Sequence, residues 1–264
     1  MTLDTASPWP APRVVARLTG SLPMGGAVAA TPVHAFSATP PGLALGPQPQ
    51  LRQQGHQIDL GGLLAFGVED VVSPVEADRI VAASELFGFR DEAPGIMTPP
   101  GMRLNKSVHW VADEALLGPI FERIRPWLPA WLDGAPLHGR LSHRLNMYRY
   151  DDQDVFNRHT DGDWPGYGLS PDRTEMVEWT GLRSGLTMLL YLNGPEDGVD
   201  GGCTRLHGAN GRAVDVTPRK GSALFFRHGF GPGSVMHEGR QVYGPVPKYV
   251  ARINVLYDPD GRTA

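Results

Sequence analysis

From about Leu141 to Tyr257 the chain is a succession of short apolar runs, each broken by a cluster of Gly, Pro, Asn or Asp. Short runs with frequent turn signals favour an antiparallel sandwich or jelly roll over a parallel sheet. Strands are expected at Leu145–Tyr150, Val155–Asp161, Leu186–Leu192, Cys203–Leu206, Ala213–Thr217, Ala223–Arg227, Ser234–His237 and Lys248–Tyr257. The stretch between Gly162 and Ser184 interrupts this series and reads as a long loop, of the kind that often closes over a site.

The segments before this region have a different character. Ser73-Pro74-Val75-Glu76 places serine at an N-cap, proline at N1 and glutamate at N3, which is a helix start with a capping box. An amphipathic helix is expected over Ala77–Leu86, ended by Gly88. A second runs from about Asp113 to Trp127, with Leu116, Leu117, Ile120, Phe121 and Ile124 on one face. The first sixty or so residues are rich in Pro, Gly and Ala without a sustained period, and read as an extended arm. Short strands such as Arg13–Leu18 are the alternative there. The expected division is an extension over 1–66, a helical support region over 67–140 and a β core over 141–264.

Charge and cysteine content narrow the function. The net charge is -4 with no basic tract, which disfavours a nucleic-acid partner. The single cysteine, Cys203, excludes an intrachain disulfide and a thiolate zinc site. No segment resembles a signal peptide or a membrane span, so a cytoplasmic location is expected. The oligomeric state is left open.

His159-Thr160-Asp161 lies at the end of an expected strand. Residues i and i+2 of a strand share a face, so imidazole and carboxylate are placed together without special backbone geometry. With nine histidines in the chain the pair alone carries little weight. His237, in SVMHEGRQVYGP, supplies the context, since two imidazoles and one carboxylate leave three positions of an Fe(II) ion open. The last strand has an apolar face of Tyr249, Ala251, Ile253, Val255 and Tyr257. Its other face carries Lys248, Val250, Arg252, Asn254 and Leu256, and is turned either to solvent or to a polar ligand.

These pieces together resemble the double-stranded β-helix of the Fe(II)/2-oxoglutarate-dependent dioxygenases, in particular the prolyl 4-hydroxylase-like branch. The resembling segments are LNMYRYDDQDVFNRHTDGD, RSGLTMLLYLN, GGCTRLH, TPRKGSALFF and HEGRQVYGPVPKYVARINVLY, and residues 68–129 are similar to that branch's helical lead-in. The resemblance implies a mainly β (α+β) jelly roll with supporting N-terminal helices. It implies Fe(II), 2-oxoglutarate and O2 as cofactor and cosubstrates, and hydroxylation of an unactivated C–H bond in a peptidyl or small-molecule substrate. His159, Asp161 and His237 then become the iron ligands, with no catalytic residue needed beyond them.

The 5-carboxylate of 2-oxoglutarate would be bound by Lys248 or Arg252, with a slight preference for Arg252 because a guanidinium pairs bidentately with a carboxylate. Tyr150 and Tyr191 match positions that hydrogen-bond the cosubstrate, with Tyr148 a further candidate. Asp163, Trp164 and the loop after them are placed toward substrate, and Arg103 and Asn105 near the mouth. Cys203 departs from the family's usual glutamate and is read as packing. The presence of Asp161 favours a hydroxylase over the related halogenases, which have a small residue there. A zinc hydrolase using the same triad and a non-catalytic cupin-like module are the rival readings.

Overall fold

The computed structural model describes residues 9–20, 30–48, 50–95 and 98–261. Chain order begins with β1 (Pro12–Leu18), β2 (Thr31–Phe36), β3 (Gln54–Gln57), β4 (Ala65–Glu69), α1 (Pro74–Phe87), β5 (Lys106–Val111) and α2 (Glu114–Ile124). It continues through β6 (Trp131–Leu132), β7 (Ala135–Leu141), β8 (Arg144–Tyr150), β9 (Phe156–His159), β10 (Pro165–Leu169), β11 (Met176–Tyr191) and β12 (Asp200–Gly201). The last elements are β13 (Thr204–His207), β14 (Ala213–Val216), β15 (Ala223–Arg227), β16 (Met236–Gly239), β17 (Val242–Tyr243) and β18 (Lys248–Tyr257).

A large sheet runs β1-β2-β5-β8-β18-β11-β15-β4-β3, and a four-stranded sheet runs β14-β13-β16-β9. Side chains of the two sheets meet in one apolar layer, with Tyr148, Leu189, Phe226 and Val250 on one side and Leu206 and Val235 on the other. This is the jelly roll. The opposite face of the large sheet carries Met147, Met188, Ala251 and Ile253, which pack against Ile80 of α1 and Leu117 and Ile120 of α2. Covering both faces explains why the mixed strand β18 is buried along almost its whole length. Its apolar residues serve the helices, and its polar residues point between the sheets.

The capping box forms. Ser73 Oγ accepts from the Glu76 amide at 3.3 Å, and the Glu76 carboxylate accepts from the Ser73 amide at 2.8 Å. Glu76 also takes both guanidinium nitrogens of Arg123, at 2.9 and 3.0 Å, which ties α1 to α2. The second helix ends at Ile124, and Arg125–Trp127 continue as a 3₁₀ turn around Pro126.

Two departures from the sequence reading concern strands. Residues 165–184 are not an open loop. They form a hairpin in which β10 pairs antiparallel with the first part of a 16-residue β11. The N-terminal segment also joins the large sheet. β1 and β2 form one edge, with β2 parallel to β5, and β3 and β4 form the other beside β15. All three segments expected from sequence thus contribute strands to one sheet. The arm reading for residues 1–8 and 21–29 lies outside the described residues. Among the described residues, no helix is long and apolar enough to cross a membrane.

Candidate metal centre

His159 closes β9, and Asp161 follows two residues on. His237 lies on β16 directly opposite His159 in the antiparallel ladder. The pairing brings the two imidazoles side by side, with ring centroids 4.2 Å apart. His159 Nε2 is 3.9 Å from one Asp161 oxygen, and His237 Nε2 is 3.7 Å from the other. All three potential ligand atoms lie within 4.8 Å of one another.

The second nitrogen of each ring is already committed. His159 Nδ1 donates to the Asn157 carbonyl at 2.6 Å, and His237 Nδ1 donates to the Val235 carbonyl at 3.2 Å. A carbonyl can only accept, so each Nδ1 carries the hydrogen and each Nε2 keeps its lone pair. Burial holds both rings below the ordinary histidine value, His237 at about 4, so both are neutral at pH 7. The Asp161 carboxyl is held far below the usual carboxylate range despite its burial, chiefly by Arg252 and then by His237 and His159. Two neutral nitrogens and one carboxylate on one side of a point suit a borderline divalent metal with open positions.

Asp161 is oriented from behind. Its Oδ2 accepts from Arg252 Nε at 2.8 Å and from the Thr187 hydroxyl at 2.6 Å. Having given its one hydrogen to Asp161, Thr187 Oγ1 accepts from His228 Nδ1 at 2.7 Å. Burial holds His228 neutral, at about 4, so its Nε2 accepts from the Ser184 hydroxyl at 2.8 Å. Ser184 Oγ accepts in turn from the Trp164 amide at 2.8 Å. Sequence reading missed Thr187, His228 and Ser184. The only available signal was that Thr187 alternates onto the site face of its strand. Thr187→Val keeps the shape and removes the hydroxyl. Fe(II) affinity should fall roughly 10- to 100-fold, as for other outer partners of metal ligands. Chelator competition measures this, and an unchanged affinity would show that Thr187 does not position the carboxylate.

One cavity runs from the triad into the barrel, lined by Tyr148, Tyr150, Leu189, Thr204, Gly239 and Lys248 among others. Lys248, 1% exposed, closes its inner end. Its ammonium donates to the Gly202 carbonyl at 2.6 Å and lies 4.9 and 5.5 Å from the ring centroids of Tyr150 and Tyr191. Among the described residues no carboxylate pairs with it, and burial pushes it down to about 8. Gly202 is required here. It has φ +66°, and a Cβ would stand 2.9 Å from the lysine stem. Gly239 likewise leaves room for the Tyr150 hydroxyl, which would be 2.9 Å from an added Cβ. Tyr191 does not line the cavity. Its hydroxyl donates to Thr204 at 2.8 Å, and Thr204 faces the space.

The two candidate carboxylate anchors stand in different places. Arg252 is committed to Asp161 beside the triad, while Lys248 lies four residues further along the same strand face at the blind end of the cavity. A carboxylate reaching Lys248 stabilises the ammonium, so its binding takes up a proton above about pH 8. Affinity for 2-oxoglutarate should therefore hold below pH 8 and weaken as pH rises past it. Lys248→Met should flatten this profile in calorimetric titration. Without a bound anion, the folded state holds fewer protons on this lysine than the unfolded state between about 8 and 10.5. Its contribution to stability accordingly rises with pH across that window.

A second, larger chamber opens on the other side of the triad. It shares Tyr148, Phe156, His159, Asp161 and Arg252 with the first cavity and adds Pro99, Met102, Arg103 and Trp164. Trp164 lines this chamber. Asp163 does not: its carboxylate is held by Arg183 at 2.7 Å, away from the chamber. Trp179 packs on His143, and Arg173 pairs with Asp113, so neither enters. Arg103 lines the chamber wall, and Asn105 is fully buried behind it. Cys203 is half-buried, with its sulfur 3.8 Å from the Thr217 hydroxyl.

Residues 145–256 match the family model of the 2OG-Fe(II) oxygenase superfamily. This region, somewhat under half of the chain, is thus a 2OG-Fe(II) oxygenase domain, of a superfamily whose members use Fe(II), 2-oxoglutarate and O2. The chain's fold is that of the prolyl 4-hydroxylase-like branch. It is similar to the viral collagen prolyl hydroxylase of Paramecium Bursaria Chlorella virus-1, solved with 2OG, at 18% identity and a TM-score of 0.50 over 75% of this chain and 98% of that one. It is also similar to a prolyl hydroxylase from Trichoplax adhaerens, solved with a hypoxia inducible factor peptide fragment, at 17% identity and a TM-score of 0.51 over 75% of this chain and 85% of that one. At such identities the likeness speaks to the fold alone. Among curated proteins, no sequence relative matches.

Proposed function

We propose that His159, Asp161 and His237 hold Fe(II), that Lys248 anchors the distal carboxylate of 2-oxoglutarate, and that substrate reaches the metal through the chamber beside Trp164. The observation that carries this reading is the position of the triad at the junction of two cavities, one of them lined by a buried lysine that has no carboxylate partner among the described residues. Tyr150 lines that cavity, and Thr204, held by Tyr191, offers a further polar atom to the cosubstrate. Arg252 and Thr187 orient Asp161. Fe(II) with 2-oxoglutarate and O2 supplies the oxidation: one oxygen atom goes to succinate, released with CO2, and the other to a C–H bond of the substrate. The protein's own residues bind and orient the reactants and wall the site from bulk water. The substrate is a small molecule or a peptide.

The test is anaerobic loading with Fe(II) and 2-oxoglutarate. A weak visible charge-transfer band of the chelate is expected, followed by succinate release when O2 and a substrate are admitted. Turnover that needs neither O2 nor 2-oxoglutarate would replace this reading with a metal hydrolase. Metal binding without succinate under any condition would leave a cupin-like binding module.

A further inference from the structure

Beyond the metal, the site face of the large sheet turns polar in a way the proposed chemistry does not use. Arg252 on β18 is paired in register with Asn146 on β8, and Asn146 with His109 on β5. Arg144 shares the face with Asn146, and Asn254 with Arg252. Arg144, Asn146, Asn254 and Arg252 are each less than 8% exposed. Arg103 faces the same region from the chamber wall.

Buried polar groups are normally paired, and an orphan costs about 1–3 kcal/mol. Here orphans are concentrated. Arg103 Nη1, Arg144 Nε and Arg252 Nη2 are buried donors without a partner, and the side-chain oxygens of Asn146 and Asn254 are buried acceptors without one. Arg144 donates from Nη2 to the Pro94 carbonyl at 2.8 Å and to His109 Nδ1 at 2.9 Å, and among the described residues no carboxylate pairs with it. Arg103 and Arg252 line the large chamber and Arg144 the cavity next to it, and among the described residues Asp161 is the only carboxylate paired with any of the three. A cavity lined by Arg144, Asn146, Asn254, Tyr167 and Trp164 lies beside the large chamber and shares Trp164 with it. Burial, with a smaller push from the Arg252 charge, pulls Arg144 down to about 10.

Resting on the reading of the site above, we propose that the substrate is a small molecule with a free carboxylate. That carboxylate is bound between Arg103, Arg144 and Arg252 beside Trp164, which sets the C–H bond to be oxidised against the metal. A planar carboxylate accepts from two guanidinium groups at once and would satisfy the orphan donors. A blocked internal peptide segment brings no charge to this cluster. The orphan amide oxygens of Asn146 and Asn254 are suited to an ammonium group on the same molecule, as in a free α-amino acid.

The test is calorimetric titration of the full chain in saturating 2-oxoglutarate, so that the cosubstrate cavity is filled, both with anaerobic Fe(II) and without metal. The probes are free L-amino acids, their N-acetyl derivatives and short mono- and dicarboxylates. Each is run beside its primary amide, together with a proline-containing peptide blocked at both ends. At least one carboxylate should bind, with its amide weaker by about tenfold or more. Arg144→Gln should weaken the acid by a similar factor and leave the amide unchanged. Tighter binding of amino acids than of their N-acetyl forms would assign the ammonium to Asn146 and Asn254, whereas preference for a dicarboxylate would assign a second anion to the three arginines. Because the acid–amide comparison is made on the unaltered protein, it stands even if the variant misfolds. Equal binding of acids and amides, binding of the blocked peptide alone, or no binding by any carboxylate would overturn the proposal. Loss of the chelate band with acid–amide discrimination retained would instead count against the iron reading alone.

Discussion

Asp161→Ala should yield a protein that no longer retains Fe(II) and shows no chelate band, a larger loss than the roughly 10- to 100-fold expected from removing an outer partner such as Thr187. The variant should also lose stability for a separate reason. The Asp161 side chain is 12% exposed and answers Arg252, which is 4% exposed. Removing one member of a buried pair leaves the other charge uncompensated, at a cost on the order of 3 kcal/mol. His159→Ala removes a metal ligand without stranding a charge, so it should lose the band with a smaller drop in melting temperature. Iron content, the band and thermal unfolding of the two variants separate these effects. A band that survives both substitutions would remove His159 and Asp161 from the ligand set.

Lys248→Met should weaken 2-oxoglutarate binding by about 2–5 kcal/mol, a factor of roughly 30 to several thousand, because it removes the buried ammonium that lines the cavity away from Arg252. Methionine keeps most of the stem that packs on Gly202, Tyr150 and Tyr191, so the barrel should stay folded. Arg252→Met should act elsewhere. It frees Asp161 Oδ2, lowering metal retention and substrate binding with a much smaller change in 2-oxoglutarate affinity at saturating Fe(II). Titration of the chelate band with 2-oxoglutarate distinguishes the two. Negligible effects from both would mean that neither residue is the anchor, and a larger effect from Arg252 would restore the original preference.

The strands that bury both faces were the ones legible in the sequence. Ala223–Arg227 and Lys248–Tyr257 were expected at the bounds they have, because an unbroken apolar or alternating run needs no partner to be recognised. The β10–β11 hairpin was not, because Gly, Pro and charged residues interrupt its apolar ones and much of the strand is exposed. Such a segment is held by main-chain bonds that leave no pattern in its side chains. The parallel pairing of β2 with β5 joins residues more than seventy positions apart, which no local signal records. The same limit applies within the site. The i,i+2 spacing placed His159 beside Asp161, but choosing between Lys248 and Arg252 required knowing which end of β18 meets the metal. The two lie on one face some ~13 Å apart along the strand, and only the pairing of the sheets distinguishes them. Thr187, His228 and Ser184 are ordinary strand and loop residues until folding brings them together.

The chain of bonds from Asp161 through Thr187, His228 and Ser184 ends on the amide of Trp164, the residue that begins the hairpin and walls the chamber. Each hydroxyl or ring in it gives one hydrogen and receives one, so its polarity runs in a single direction and no member can turn round alone. A hairpin that lifts away from Ser184 strands a buried hydroxyl, and the imbalance passes link by link to the carboxylate at the metal. The wall that meets the substrate and the ligand that meets the iron therefore keep or lose their alignment together.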